Sequence, residues 1–166
     1  TKVKKQSELA AAVINALEFD TKVIVEQSVV GKEIECAVLQ ADGKLTVSQV
    51  GQILLSNKFE FYDFQAKYLD NSMQLVVPAD LPAGVEAKIQ QAALVAFKAA
   101  GCEGLARIDF FYSDQGEIII NEINTMPGFT PTSVYPKLIE KSGISYQQLI
   151  TKLIQTAQNR SLSITR

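Results

Sequence analysis

Two short runs in the second half of the chain carry acids, an amide and a guanidinium at spacings that let them converge. They are Arg107-Ile108-Asp109-Phe110-Phe111 and Ile120-Asn121-Glu122-Ile123-Asn124. Each reads as a strand, and in a strand alternate side chains share a face. Arg107, Asp109 and Phe111 therefore project to one side, and Ala106, Ile108 and Phe110 to the other. With residues 113–116 as a four-residue hairpin loop, Tyr112 pairs with Glu117, Arg107 with Glu122 and Asp109 with Ile120. Paired residues lie on one face, so Arg107, Asp109, Glu122 and Asn124 are expected to form a single patch. A solvated hairpin face with an Arg–Glu cross-strand pair would satisfy the same pattern. Against that, the flanks are strongly apolar, and buried charges need partners. Two carboxylates and an amide are hard oxygen donors of the kind Mg²⁺ takes while phosphates complete its octahedron. The loop Met126-Pro127-Gly128-Phe129-Thr130-Pro131 and the helix start after it bring backbone N–H groups suited to anions. Together these features point to a metal–nucleotide site.

The rest of the sequence removes other chemistries. Among 166 residues there is no histidine, and the only cysteines are Cys36 and Cys102. Ser–His and Cys–His nucleophile systems are thereby excluded, as is a Cys/His zinc site. Both cysteines read as small buried thiols. Neither Gly-x-x-x-x-Gly-Lys-Ser/Thr nor Gly-x-Gly-x-x-Gly after a strand occurs, so the P-loop and dinucleotide fingerprints are missing. A net charge of −2 without a long basic run provides no electrostatic footprint for nucleic acid. No apolar run is long enough to span a bilayer. The start, Thr1-Lys2-Val3-Lys4-Lys5, has no apolar signal core behind its charges.

Hydrophobic periodicity supplies the elements that must position the patch. Ser7 is expected to cap a helix to about residue 18, with Leu9, Val13 and Leu17 recurring every fourth position. Residues 22–27 and 33–40 read as strands joined by a turn at Gly31-Lys32. Asp42-Gly43 reads as a hairpin turn into a strand over 44–50. From about 56 to 82 the period is lost. Aromatic and charged side chains mix there in Lys58-Phe59-Glu60-Phe61-Tyr62-Asp63-Phe64-Gln65-Ala66-Lys67-Tyr68, which reads as an ordered substrate-covering loop. Pro82 opens a helix striped by Val85, Ile89, Ala93, Ala96 and Phe97, and Gly101 ends it. Strands over about 105–112 and 117–124 follow, then helices over about 132–141 and from 145 to near 157. The length fits one domain, and there is no internal repeat.

Gly104-Leu105-Ala106-Arg107-Ile108-Asp109-Phe110-Phe111 and Asn121-Glu122-Ile123-Asn124-Thr125-Met126-Pro127-Gly128-Phe129-Thr130 resemble the signature of the D-alanine–D-alanine ligases of the ATP-grasp superfamily. The likeness extends back through Phe61-Tyr62-Asp63-Phe64-Gln65-Ala66-Lys67-Tyr68 and Val25-Glu26-Gln27 to Glu33-Ile34-Glu35-Cys36-Ala37-Val38-Leu39. It keeps the family's order and spacing over essentially the whole chain. The resemblance implies an α+β fold, the ATP-grasp C-terminal subdomain, with a mainly antiparallel sheet flanked by helices. It also implies a set of roles. Asp109, Glu122 and Asn124 hold two Mg²⁺ ions (or Mn²⁺) that bridge the ATP phosphates. Glu26 lies at the adenine end and Glu33 on the ribose hydroxyls. Phe111 covers the adenine or simply packs in the core. Lys67 reaches phosphate from the irregular loop. Arg107 and the Gly128 N–H stabilise negative charge on an acyl-phosphate and a tetrahedral intermediate. Ser133 hydrogen-bonds the carboxylate of a second D-alanine and can cap the next helix as well. Tyr68 favours D-alanine as the acceptor, and Phe64 stands where many relatives carry Tyr, removing one hydroxyl from the loop.

The implied chemistry is ATP-driven ligation of two D-alanines through an acyl-phosphate, for peptidoglycan precursors and the bacterial cell wall. The implied setting is cytoplasmic, without membrane or nucleic-acid partners, and the full-length protein is expected to be a homodimer. Two alternatives stay open. One is a ligase for a different acceptor, D-lactate or D-serine; the other is a non-catalytic binding domain that has kept the fold. Family members also carry an N-terminal substrate domain and a Ser/Gly-rich phosphate loop that these residues lack. The chain is therefore expected to be a C-terminal portion, inactive by itself, with one apolar face uncovered.

Overall fold

The computed structural model describes residues 1–55 and 73–160. In chain order its elements are α1 (Gln6–Leu17), β1 (Gly31–Ala41), β2 (Lys44–Val47), β3 (Gly51–Leu55), β4 (Met73–Val76), α2 (Val85–Ala99), β5 (Leu105–Ser113), β6 (Ile118–Asn124), α3 (Val134–Lys141) and α4 (Tyr146–Gln158). The strands build one sheet in the order β4-β3-β1-β5-β6, with β2 also on β1. All pairings are antiparallel, and helices lie on both faces, giving the expected α+β class.

β1 runs through the middle of the sheet, and its residues 34–39 are buried on both faces. Ile34, Cys36 and Val38 point to one face and join Ile108 and Phe110 of β5 beneath Ile89, Ala93 and Phe97 of α2. Ala37, Leu39 and Ala41 point to the other and meet Val134, Tyr135, Leu138 and Leu149 of α3 and α4. Tyr135 is fully buried and donates its hydroxyl to the Val38 carbonyl at 3.1 Å. The burial of its phenol ring raises its pKa. The α3–α4 pair covers only part of its face.

Several elements differ from the expectation. Residues 22–27 form no strand, and Ile24 and Val25 are exposed. Alternation of β-branched residues is not enough without a neighbouring strand to take up the backbone hydrogen bonds. Gly31-Lys32 is not a turn: Gly31 pairs with Ser113 and begins β1. The expected strand over 44–50 is split, with β2 ending at Val47 and β3 starting at Gly51. Ser48 causes the break, because its hydroxyl accepts the Ala37 N–H and donates to the Gln49 carbonyl. β2 and β3 thus share one edge of β1. β4, inside the stretch read as irregular, extends the sheet through β3. The first helix starts at Gln6, so Ser7 lies within it; Glu8 instead accepts the backbone N–H groups of Lys4 and Lys5. Asp42-Gly43 is a hairpin turn as expected, with φ of 53° and 69°. Most of the stretch expected to be a covering loop, with Phe64, Lys67 and Tyr68, lies outside the described residues.

Candidate functional site

The patch is built on the hairpin of β5 and β6 and on the neighbouring β1. Its register differs from the expected one in two places. The loop is Asp114-Gln115-Gly116, because Ser113 N–H bonds to the Glu117 carbonyl and Tyr112 pairs with Ile118. Gly116 at φ 84° supplies the left-handed residue such a three-residue loop needs. A β-bulge then interrupts the ladder between Asp109 and Phe110. Each offset alone would turn the expected partners to opposite faces, since the side-chain period is two. The two offsets together restore the face. Asp109 stands opposite Glu122 and Arg107 opposite Asn124, so all four groups do meet, with partners two positions further along β6 than those expected.

Arg107 is the hub. Its Nε and Nη2 each donate to Asp109, to Oδ1 and Oδ2, at 2.7 Å. Nε also lies 3.1 Å from Glu35 Oε2, and Nη2 lies 4.0 Å from Glu122 Oε1. The Asn124 amide donates to Asp109 Oδ2 and to Glu122 Oε1, both at 3.1 Å. Glu35 is fully buried and Asp109 is 1 % exposed, whereas the Glu122 side chain is nearly half exposed. Burial raises the Asp109 carboxyl above the ordinary carboxylate range. The hydrogen bonds and charge of Arg107 pull it back, and the hydrogen bond with Glu122 and that group's charge push it up again. Three carboxylates share one guanidinium here. Hard oxygen donors set side by side in this way fit a divalent cation. Among the described residues no cluster of three Asp, Glu, His or Cys ligands occurs. The donor set is two carboxylates and an amide, so other ligands would have to come from phosphates or water.

Other expected residues fall around this hub. Glu33 and Phe111 pair directly across β1 and β5 on the same face as Glu35 and Asp109. Gly128 and Ser133 lie together after β6: a Cβ on Gly128 would come within 3.0 Å of the Ser133 hydroxyl. Ser133 is at the N-cap position of α3 but makes no cap hydrogen bond. Its hydroxyl accepts the Thr130 N–H at 3.0 Å and meets the Thr130 hydroxyl at 2.9 Å, which bends the Gly128–Ser133 turn onto itself. Phe129 anchors that turn by packing on Tyr135 and Tyr146, and its carbonyl accepts from the Tyr146 hydroxyl. Glu26 is exposed on the segment before β1, outside the sheet that gathers the other groups. Lys67 and Tyr68 lie outside the described residues. Glu35 was given no role by sequence reasoning. Its signal was an acid in mid-strand, in phase with Glu33 and out of phase with Ile34, Cys36 and Val38. A hollow of about 430 Å³ lies elsewhere, between the β1–β2 hairpin and α4. The patch itself is mostly buried, with Glu122 its most exposed side chain.

An antiparallel sheet with helices on both faces and an acid–amide–guanidinium patch on one of its hairpins define an α+β domain of the ligase type. The family described as "D-ala D-ala ligase C-terminus" matches residues 1–155, and the chain belongs to it. The chain is 49% identical over 161 residues to a D-alanine–D-alanine ligase of Acetivibrio thermocellus, covering 96% of the chain and 42% of that relative. Over the same span it is 47% identical to D-alanine–D-alanine ligase A of Salmonella typhimurium. Among solved structures it is similar to the VanG D-Ala:D-Ser ligase of Enterococcus faecalis, with a TM-score of 0.80 and 45% identity, over 94% of this chain and 45% of that one. The ATP-complexed D-alanine–D-alanine ligase of Bacillus anthracis matches with a TM-score of 0.75 and 33% identity, over 94% of this chain and 49% of that one. The chain thus spans between two fifths and half of the length of these relatives.

Proposed function

We propose that this chain is the C-terminal catalytic portion of an ATP-dependent D-alanine–D-alanine ligase, working in the cytoplasm on precursors of the cell wall. The observation that carries the reading is the junction of Arg107, Asp109, Glu122 and Asn124 on one sheet face, within a chain belonging to this family. Asp109, Glu122 and the Asn124 amide would hold Mg²⁺, which supplies charge neutralisation on the ATP phosphates when bound. The first D-alanine carboxylate forms a bond to the γ-phosphorus while the bond to the β–γ bridging oxygen breaks, giving an acyl-phosphate and ADP. The amine of the second D-alanine then bonds to the acyl carbon, loses a proton, and inorganic phosphate leaves. Arg107 faces the negative charge that develops in both steps, and the Gly128 N–H would face the tetrahedral oxygen. Ser133 accepts the Thr130 N–H, and its hydroxyl proton would turn from Thr130 toward a substrate carboxylate. Glu33 and Phe111 flank the patch where the ribose and adenine would lie. Glu26 at the adenine end, Lys67 on phosphate and Tyr68 at the acceptor complete the proposal. Positioning and charge placement supply the acceleration, so the lack of histidine is no obstacle.

The remainder of the cleft would come from the part of the relatives' length that this chain does not span, and the dimer belongs to that longer protein. A second reading, D-serine as the acceptor, is compatible with the 45% identity to a D-Ala:D-Ser ligase. Mg²⁺ and ATP titrated into a ligase containing this chain, beside its Asp109→Asn variant, test the reading. Mg²⁺-dependent nucleotide binding should fall at least about tenfold in the variant, the scale for losing a charged ligand. Equal binding by the two proteins would refute it. Rates with D-alanine, D-serine and D-lactate as acceptors decide between the substrates.

A further inference from the structure

We propose that Glu35 is a positioning residue that keeps Arg107 in the site when Asp109 turns its oxygens to a cation; the inference rests on the cation reading above. In this structure both oxygens of Asp109 are engaged by Arg107 at 2.7 Å, and Oδ2 is also engaged by Asn124. A carboxylate that ligates a divalent ion loses lone pairs to it, and the ion repels a neighbouring guanidinium. Without another acceptor, Arg107 would be driven off at the moment its charge is needed. Glu122 cannot serve, because it belongs to the same candidate ligand set and is the more distant, at 4.0 Å.

Glu35 has what the task requires. It faces Asp109 directly across the β1–β5 ladder, and its Oε2 lies 3.1 Å from Arg107 Nε. It is fully buried, so water cannot neutralise it in place of the arginine. On its other side it faces Gly51 of β3, where Leu75 and Leu138 close in to 2.7 and 2.8 Å of the position a Cβ would take. The apolar cluster thereby closes in beside the strand position that Glu35 faces, and the Glu35 carboxylate lies against Arg107. Asp109 and Glu35 are alternative acceptors for one Nε–H, which is directed at Asp109 here.

The test needs a readout specific to the cation-bound state, because a purely structural ion pair would matter equally with and without Mg²⁺. The Arg107 Nε–H signal can be followed by ¹⁵N NMR in the wild type and in Glu35→Gln, before and after adding Mg²⁺ and ADP. In the absence of Mg²⁺ both proteins should protect it, through Asp109. With Mg²⁺ the wild type should keep the protection, and Glu35→Gln should lose about tenfold or more, the worth of one charge-assisted hydrogen bond. Glu35→Asp should restore part of it. A Mg²⁺ response at Asp109 and Glu122 with Arg107 equally protected in both proteins overturns this inference alone. Lack of any Mg²⁺ response in the wild type overturns the cation reading as well. A structure of the wild type with Mg²⁺ and ADP decides the matter even if the variants fail to fold. Arg107 should then retain Glu35 and release Asp109, and a guanidinium still paired to both oxygens of Asp109 would refute the inference.

Discussion

Arg107 is held by Asp109 and Glu35 in a setting where each acid is almost completely shielded from water. Removing the guanidinium leaves two buried carboxylates without their common counter-charge, and breaking such a pair costs about 3–5 kcal/mol. Arg107→Met should therefore lower the urea midpoint sharply. Adding Glu35→Gln to it should recover part of the loss, since one of the stranded charges disappears. If the double variant is no more stable than the single one, Glu35 is not held by Arg107. Cys36 offers a second check at this scale. Burial pushes its thiol up to about 12, against a smaller opposing effect from Ser48. Raised so far, it carries almost no thiolate at neutral or mildly alkaline pH. Iodoacetamide at pH 8 should modify the half-buried Cys102 first and reach Cys36 only in urea, as read by mass spectrometry.

The elements that carry the patch depend on two glycines for different reasons. Gly116 closes the β5–β6 loop at φ 84°, and a Cβ there meets only the Tyr112 hydroxyl at 3.6 Å. Gly116→Ala should cost the backbone preference alone, about 1–2 kcal/mol. Gly31 has no such φ, but a Cβ would lie 2.2 Å from the Tyr112 carbonyl oxygen. Gly31→Ala must push β1 away from β5, so its unfolding midpoint should fall further than that of Gly116→Ala. The reverse order would mean that the β1–β5 contact is looser than described. The same strands mark what could be read beforehand. The stripes of α2 and α4 stood out because their periods run for three turns or more. Ser145 and Gln148 do form the box that caps α4. The face shared by Arg107, Asp109, Glu122 and Asn124 was legible from alternation. Their partners were not, because a one-residue difference in loop length and a single bulge leave no trace in composition. Ser48 was equally silent: only the position of β1 reveals that its hydroxyl takes over a ladder hydrogen bond. Residues 22–27 misled because β-branched alternation signals a preference for pairing without supplying a partner.

At the scale of the whole molecule, the chain accounts for part of the length of its relatives. The chain spans 42–49% of the relatives described. By itself it should form no D-alanyl-D-alanine from ATP and D-alanine, and dipeptide detected in such a reaction would disprove that. The apolar surface points the same way. α1 buries none of its residues, and Ile14, Phe19, Ile24, Val25 and Val30 are each more than 60% exposed. Five large apolar side chains within seventeen consecutive positions make a cluster of the kind that drives association. No helix among the described residues is long and apolar enough to cross a membrane, so a bilayer-spanning helix does not account for the exposure. The chain on its own should therefore sediment as a concentration-dependent mixture, with mass rising from the micromolar toward the millimolar range. Phe19→Ser with Ile24→Ser should shift it to monomer and leave the urea midpoint unchanged, because neither side chain touches the sheet core. A wild-type chain that remains a single monomeric species over that range would show that this surface is not sticky, and that its exposure has some other cause.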